Sequence, residues 1–140
     1  SASATGRRAL QEFLIRNRSD QGGLHTMSEI LLNGIPFDTY LEKHQVFEKT
    51  TQLMMECLEN WYRDDSEQFQ RDMRADWQTV VDTHQFHRKF AAIKQNYMFE
   101  PVQRYLTASM DILDGEGDHV ATYTAFFDFD GNCFDDQLTT

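Results

Sequence analysis

The sequence predicts an α+β domain: a curved antiparallel sheet packed against three helices. Three observations carry this expectation. Residues 8–32 read at period two around a turn-rich centre, residues 38–98 repeat apolar side chains largely at helical spacing, and residues 104–138 return to period two. With 140 residues, 40% apolar and 13% aromatic, the chain has enough material for one core, so a single domain is expected: a hairpin over 1–34, helices with a short strand over 38–98, and a β-meander over 104–138.

Each element has a local reason. RALQEFLIR (8–16) alternates as a strand with Ala9, Gln11, Phe13 and Ile15 on one face, and equally permits a helix through Leu10, Phe13 and Leu14. The sequel favours the strand: SDQGG is turn chemistry, and Leu24, Thr26, Ser28, Ile30 and Leu32 then share one face. Asn33-Gly34-Ile35-Pro36 closes the hairpin and Asp38 is a natural N-cap. Tyr40, Phe47, Thr51, Met54, Leu58 and Trp61 form the stripe of one long helix, which stops at Arg63-Asp64-Asp65. Ser66 can cap a shorter helix with Phe69 and Met73 inward; Trp77–Val81 reads as a brief strand. Phe86, Phe90, Ile93 and Tyr97 then suggest a third helix, ending before Pro101. Beyond it, RYLTASMDIL, HVATYTAFFDF and NCFDDQL are three strands joined by DGEGD and Asp130-Gly131. On the middle strand Ala121, Tyr123, Ala125, Phe127 and Phe129 face one way, and Val120, Thr122, Thr124, Phe126 and Asp128 the other.

Charge and cysteine usage narrow the function classes. The formal net charge is −10, and no run of Lys/Arg could track a phosphate backbone, so neither nucleic acid nor an anionic membrane is an expected partner. Cys57 and Cys133 form no CxxC pair, which argues for free thiols and a cytoplasmic setting. No apolar run reaches the roughly 20 residues a spanning helix needs.

Two stretches carry a family resemblance. ECLENWYRDDSEQFQRDMRADWQTVVD (56–82) is similar to the opening helices and first strand of the nuclear-transport-factor-2-like superfamily, in its SnoaL-like polyketide-cyclase branch. ILDGEGDHVATYTAFFDFDG (112–131) is similar to that family's GD-x-V-A strand. Two further strands normally follow in the family, and ATGRRALQEFLIRNRSDQGGLHTMSEIL (4–31) resembles them, so the resemblance implies a circular permutation with the N-terminal hairpin paired beside the 119–129 strand. It further implies that the sheet is cone-shaped, with a cavity between sheet and helices. Family members there move a proton at carbon, without a cofactor, as isomerases, dehydratases or cyclases; others are catalytically silent assembly modules.

Such chemistry needs an Asp, Glu or His tuned by an apolar surrounding. In Asp82-Thr83-His84-Gln85-Phe86-His87, Asp82 or His84 would be the base, although an ordinary helix cap explains the same letters. Glu29 falls where the family's final strand often carries an inward polar residue, while Ser28 stands where the family often has His or Trp. Tyr105, Tyr123, His119 and Trp77 would line the substrate site; on a sheet such Tyr and His residues are more often packed and hydrogen-bonded than catalytic. His25/Glu29, His44/Glu48 and His84/His87 invite a metal reading. We expect no metal; His25 is on a predicted strand, where positions four apart are roughly 13 Å apart. Asp128-Phe129-Asp130-Gly131 resembles a phosphatase or calcium-loop motif but lacks the required context, which leaves a tight turn.

Two function classes follow. One is a small-molecule enzyme or ligand binder acting on a small apolar substrate. The other is an acidic interaction module, such as a dimerisation domain or an inhibitor of a basic partner; in either case the chain is a possible homodimer.

Overall fold

A computed structural model describes residues 30–140. The strands expected before Ile30, and with them Glu29, Ser28 and His25, lie outside the described residues. The chain divides between Asp38 and Thr39 into two compact units. In the first, β1 (Leu31–Leu32) pairs antiparallel with β2 (Ile35–Pro36). Asn33 and Gly34 turn the pair with φ of 52° and 82°, the two left-handed residues of a type I′ turn. Helix α1 (Phe37–Lys43) starts one residue before Asp38, so Asp38 lies in its first turn and does not cap it.

The second unit continues with α2 (Val46–Asp64), α3 (Ser66–Met73) and α4 (Trp77–Thr83), then a four-stranded antiparallel meander: β3 (Gln85–Asn96), β4 (Gln103–Leu113), β5 (His119–Phe127) and β6 (Cys133–Thr139), in that spatial order. The α+β class and the terminal meander agree with the sequence reading. The single long helix does not, because Gln45 adopts a left-handed conformation (φ 50°, ψ 47°) and separates α1 from α2. The apolar stripe survives the break: Tyr40, Phe47, Met54 and Leu58 are all buried. Asp65, not Ser66, caps α3, its carboxylate accepting the Gln68 N–H at 3.2 Å.

Two further segments exchange their expected states. Trp77–Val81 is helical, because Asp76 accepts the Thr79 N–H at 2.9 Å and nucleates α4; the cap outweighs the strand preference of Val80 and Val81. The expected third helix is strand β3. Its register slips between Arg88 and Phe90, leaving Lys89 as an extra residue. Phe86 faces Ile112 and Ile93 faces Leu106, so the bulge returns both to one face although they are seven positions apart. A bulged strand thereby imitates the seven-residue repeat of a helix.

Helix α2 packs on β4 and β5, and α3 on β5. On the sheet's inner face the cross-strand pairs are Leu106 with Phe127, Ala108 with Ala125, Met110 with Tyr123 and Ile112 with Ala121, and all eight are buried. Fully buried Met54, Leu58, Phe69 and Met73 come from the helices. Phe69 meets Trp61 and Tyr62 edge-on, with both centroid distances 5.1 Å. The alternation expected along β5 holds: Ala121, Tyr123, Ala125 and Phe127 face this core. β5 is bonded to β4 on one side and to β6 on the other, while the N-terminal strands expected beside it lie outside the described residues. Among the described residues, no helix is long and apolar enough to cross a membrane.

Candidate functional site

Polar groups converge where the α3–α4 corner meets the β4–β5 loop. Helix α3 ends at Arg74, a left-handed C-cap (φ 63°, ψ 23°), and Asp76 immediately begins α4. This abrupt corner presents Arg74 to Asp114, Nη1 to Oδ2 at 3.4 Å. Asp114 also organises its own loop: Oδ1 accepts the Glu116 N–H at 2.9 Å and the Asp118 N–H at 3.0 Å. The Asp118 backbone bond is the main cause that holds the Asp114 carboxyl below its ordinary value; burial opposes it, and the Glu116 backbone bond and the Arg74 charge add smaller lowering effects. Gly115 packs beside Thr83, where an added Cβ would lie 3.4 Å from the Thr83 Cβ.

His84 forms the floor between these walls. It follows α4 in extended conformation, its N–H returning to Val80 O at 3.1 Å, and only 8% of the residue is exposed. Nε2 lies 2.8 Å from Met73 O. A carbonyl only accepts, so this contact assigns the proton to Nε2 and leaves Nδ1 with a lone pair in the neutral ring. Nδ1 is 3.5 Å from Thr83 Oγ1, but that hydroxyl gives its one proton to Thr79 O at 2.7 Å. The Nδ1 lone pair therefore receives no proton from Thr83. Arg74, Thr79, Thr83, His84, Asp114, Glu116 and Asp118 enclose an open groove of about 420 Å³.

Among the described residues singled out from sequence, His84 alone lines this groove. Asp82 is exposed on α4 and accepts from Gln78 Nε2 at 3.0 Å. His87 is exposed and contacts Gln85 Oε1 at 3.1 Å. Trp77 opens α4 half-buried, its ring 6.2 Å from that of Phe69. Tyr105 and Tyr123 occupy opposite sheet faces: Tyr105 joins Phe126 and Phe134 in an outer aromatic cluster, at 6.0 and 5.9 Å, while Tyr123 is fully buried. Its hydroxyl donates to Asp136 Oδ2 at 2.7 Å, and burial, reinforced by that carboxylate, raises its pKa far above the usual tyrosine range. Burial likewise raises the Cys57 thiol, again reinforced by Asp136. His119 is exposed beside Thr122 Oγ1 (2.9 Å) and Asp111 Oδ1 (3.3 Å). Thr122 gives its hydroxyl proton to Asp111 at 2.9 Å, so this trio has no activated nucleophile. His44 stacks on Tyr40 at 4.3 Å, and among the described residues no three His, Cys, Asp or Glu side chains form a metal-binding group.

Arg74, Asp114 and the acidic loop were not singled out from sequence, where DGEGD reads only as a turn. Its repeat of the Asp-x-x-Gly spacing in DFDGN marks the turn geometry, but nothing local announces Arg74 forty positions earlier. Compared with protein-family models, curated proteins and solved structures, the chain matches none.

Proposed function

We propose that the chain is a small-molecule binder or enzyme that works by proton transfer at His84. One observation carries this reading: a nearly buried imidazole is pinned through Nε2 to Met73 O, while its Nδ1 lone pair lies among groove residues. Fixing one nitrogen by a carbonyl sets the tautomer and the ring orientation, as acid–base chemistry requires. With Arg74, Glu116 and Asp118 around it, the groove suits a polar ligand bearing hydroxyl, amino or carboxylate groups better than the apolar substrate inferred from composition. Such a ligand gives a proton to Nδ1 while Arg74 holds its anionic end.

A nuclear-transport-factor-2-like identity for the fold is part of the proposal; it is supported by a long helix, short helices and then an antiparallel meander. The alternative, a non-enzymatic interaction module, draws support from the outer Tyr105–Phe126–Phe134 cluster and the net charge of −10. Long-range ¹H–¹⁵N spectra of the histidine rings separate the two. The Nε2–H tautomer at His84, with shifts at Thr79, Thr83 and His84 on adding small hydroxy- and amino-acid fragments, is the expected result. Fragments that shift none of these residues, or shift them equally in His84→Gln, would defeat the proposal.

A further inference from the structure

The β3–β4 hairpin carries three large apolar side chains at its tip, away from the core. Pairing runs out to Asn96 with Gln103, and the connecting tip exposes Tyr97 by 75%, Met98 by 92% and Phe99 by 55%. Isolated exposed apolar residues are ordinary, but three in succession on a projecting turn are a local concentration. A side-chain bond shapes the tip: Asn96 Oδ1 accepts the Met98 N–H at 2.9 Å.

Charge on the same hairpin runs against the rest of the chain. Gln85–Leu113 holds four of the 13 Lys/Arg residues, Arg88, Lys89, Lys94 and Arg104, and two of the 23 Asp/Glu residues, Glu100 and Asp111. Arg88 pairs with Glu48 at 3.3 Å and Lys89 with Asp111 at 3.5 Å, which leaves Lys94 and Arg104 as the cations nearest the tip. Lys94 and Arg104 come from different strands, so they form no run in the sequence. Lys94 pairs with Tyr105 and Gln95 with Arg104, so alternation puts Lys94 and Arg104 on opposite faces of the stem. Arg104 Nε is held by Gln95 Oε1 at 2.9 Å. At about 3.3 Å per residue, both cations sit roughly 7–10 Å behind the apex.

We propose that this hairpin is an anchor for an anionic lipid surface. Tyr97, Met98 and Phe99 enter the interfacial zone while Lys94 and Arg104 meet the lipid phosphates. The spacing matches the roughly 5–10 Å to which interfacial apolar side chains penetrate. A projecting tip needs no complementary pocket, which a protein partner would have to supply. Repulsion from the acidic remainder is screened beyond about 8 Å at physiological ionic strength, so the local cations govern contact. Glu100 at the tip opposes binding.

Co-sedimentation of the full chain with phosphatidylcholine vesicles, with and without 30% phosphatidylserine, tests this. Binding is expected only with phosphatidylserine and falls with added salt. Met98→Asp and the double change Lys94→Glu/Arg104→Glu each weaken it by roughly tenfold or more, and Glu100→Gln strengthens it severalfold. All four positions are exposed, and circular dichroism of each variant verifies that the fold is retained. No binding by the folded chain, equal binding to both compositions, or variants without effect would overturn the proposal. So would a homodimer that Met98→Asp converts to monomer in the absence of vesicle binding.

Discussion

Asp114 and Asp128 occupy the same position in two five-residue loops at opposite ends of β5, and hold those loops with the same bonds. Asp114 Oδ1 accepts the N–H groups of Glu116 and Asp118, and Asp128 Oδ1 those of Asp130 and Asn132. In both loops the first residue's N–H donates to the fifth residue's carbonyl, at 2.8 and 2.9 Å, and the fourth residue is a glycine with φ near +90°. The loops differ in what they touch. The second is fastened to the helices through Tyr40 Oη to Phe129 O and Lys49 Nζ to Gly131 O.

That difference separates two otherwise equivalent glycines. At Gly117 an added Cβ meets nothing within 4 Å, so Gly117→Ala should cost about 1 kcal/mol from the left-handed backbone alone. At Gly131 the Cβ would lie 2.6 Å from His44 Nδ1, so Gly131→Ala should cost about 1–3 kcal/mol more. Urea denaturation of the two variants measures the gap; equal costs would remove the His44 contact from the account.

His84 also has a structural duty. Replacing it by Ala strands the Met73 carbonyl, and the expected loss is about 1–3 kcal/mol, part of which His84→Gln should restore through its amide N–H. Chemical denaturation reads both. An alanine variant as stable as the parent would mean that water replaces the imidazole without cost.

Acid should weaken the fold through Asp76 and Asp114. Both carboxyls are held below the ordinary 3.8, Asp76 chiefly by the Thr79 N–H and Asp114 chiefly by the Asp118 N–H. Below that value the unfolded chain binds protons that the folded chain refuses. Their contribution is thus complete above pH 4 or so and lost as pH falls through the depressed values. Thermal melts from pH 6 to pH 2 should show a shallower acid decline in Asp76→Asn and Asp114→Asn than in the parent.

Alkali acts through Tyr123, with the opposite sign. Its folded pKa lies above the ordinary 10.0, so the unfolded chain gives up the proton first. Stability is complete below pH 10 and declines above it. Tyr123→Phe should lose about 1 kcal/mol at pH 7, for the bond to Asp136, and decline less above pH 10. Absorbance at 295 nm, the tyrosinate signal, should show Tyr123 ionising only with unfolding.

Which parts could be read in advance follows from how local their causes are. The meander was legible because alternation along Val120–Phe127 is written residue by residue, and α3 because Phe69 and Met73 are one turn apart. β3 was not, since the bulge at Lys89 gives Phe86 and Ile93 a spacing shared by helix and strand. α4 had a usable sign, Asp76 three residues ahead of Thr79, which the β-branched Val80 and Val81 obscured. His84 stood out as a titratable residue in a connecting stretch. Its partners did not, because Met73 contributes a backbone oxygen and Arg74 reaches Asp114 across forty positions.

The paired rows on the inner sheet face also shape the helix layer. Leu106 and Phe127 form one ridge, Met110 and Tyr123 another, and Ala108 and Ala125 make a trough between them. A trough oriented across the strands offers the helices a single seating, because sliding along the strand direction would drive a side chain onto a ridge. The two alanines thus act as a positional key: filling the trough, as in Ala125→Leu, would lift the helices off the sheet without altering any strand pairing.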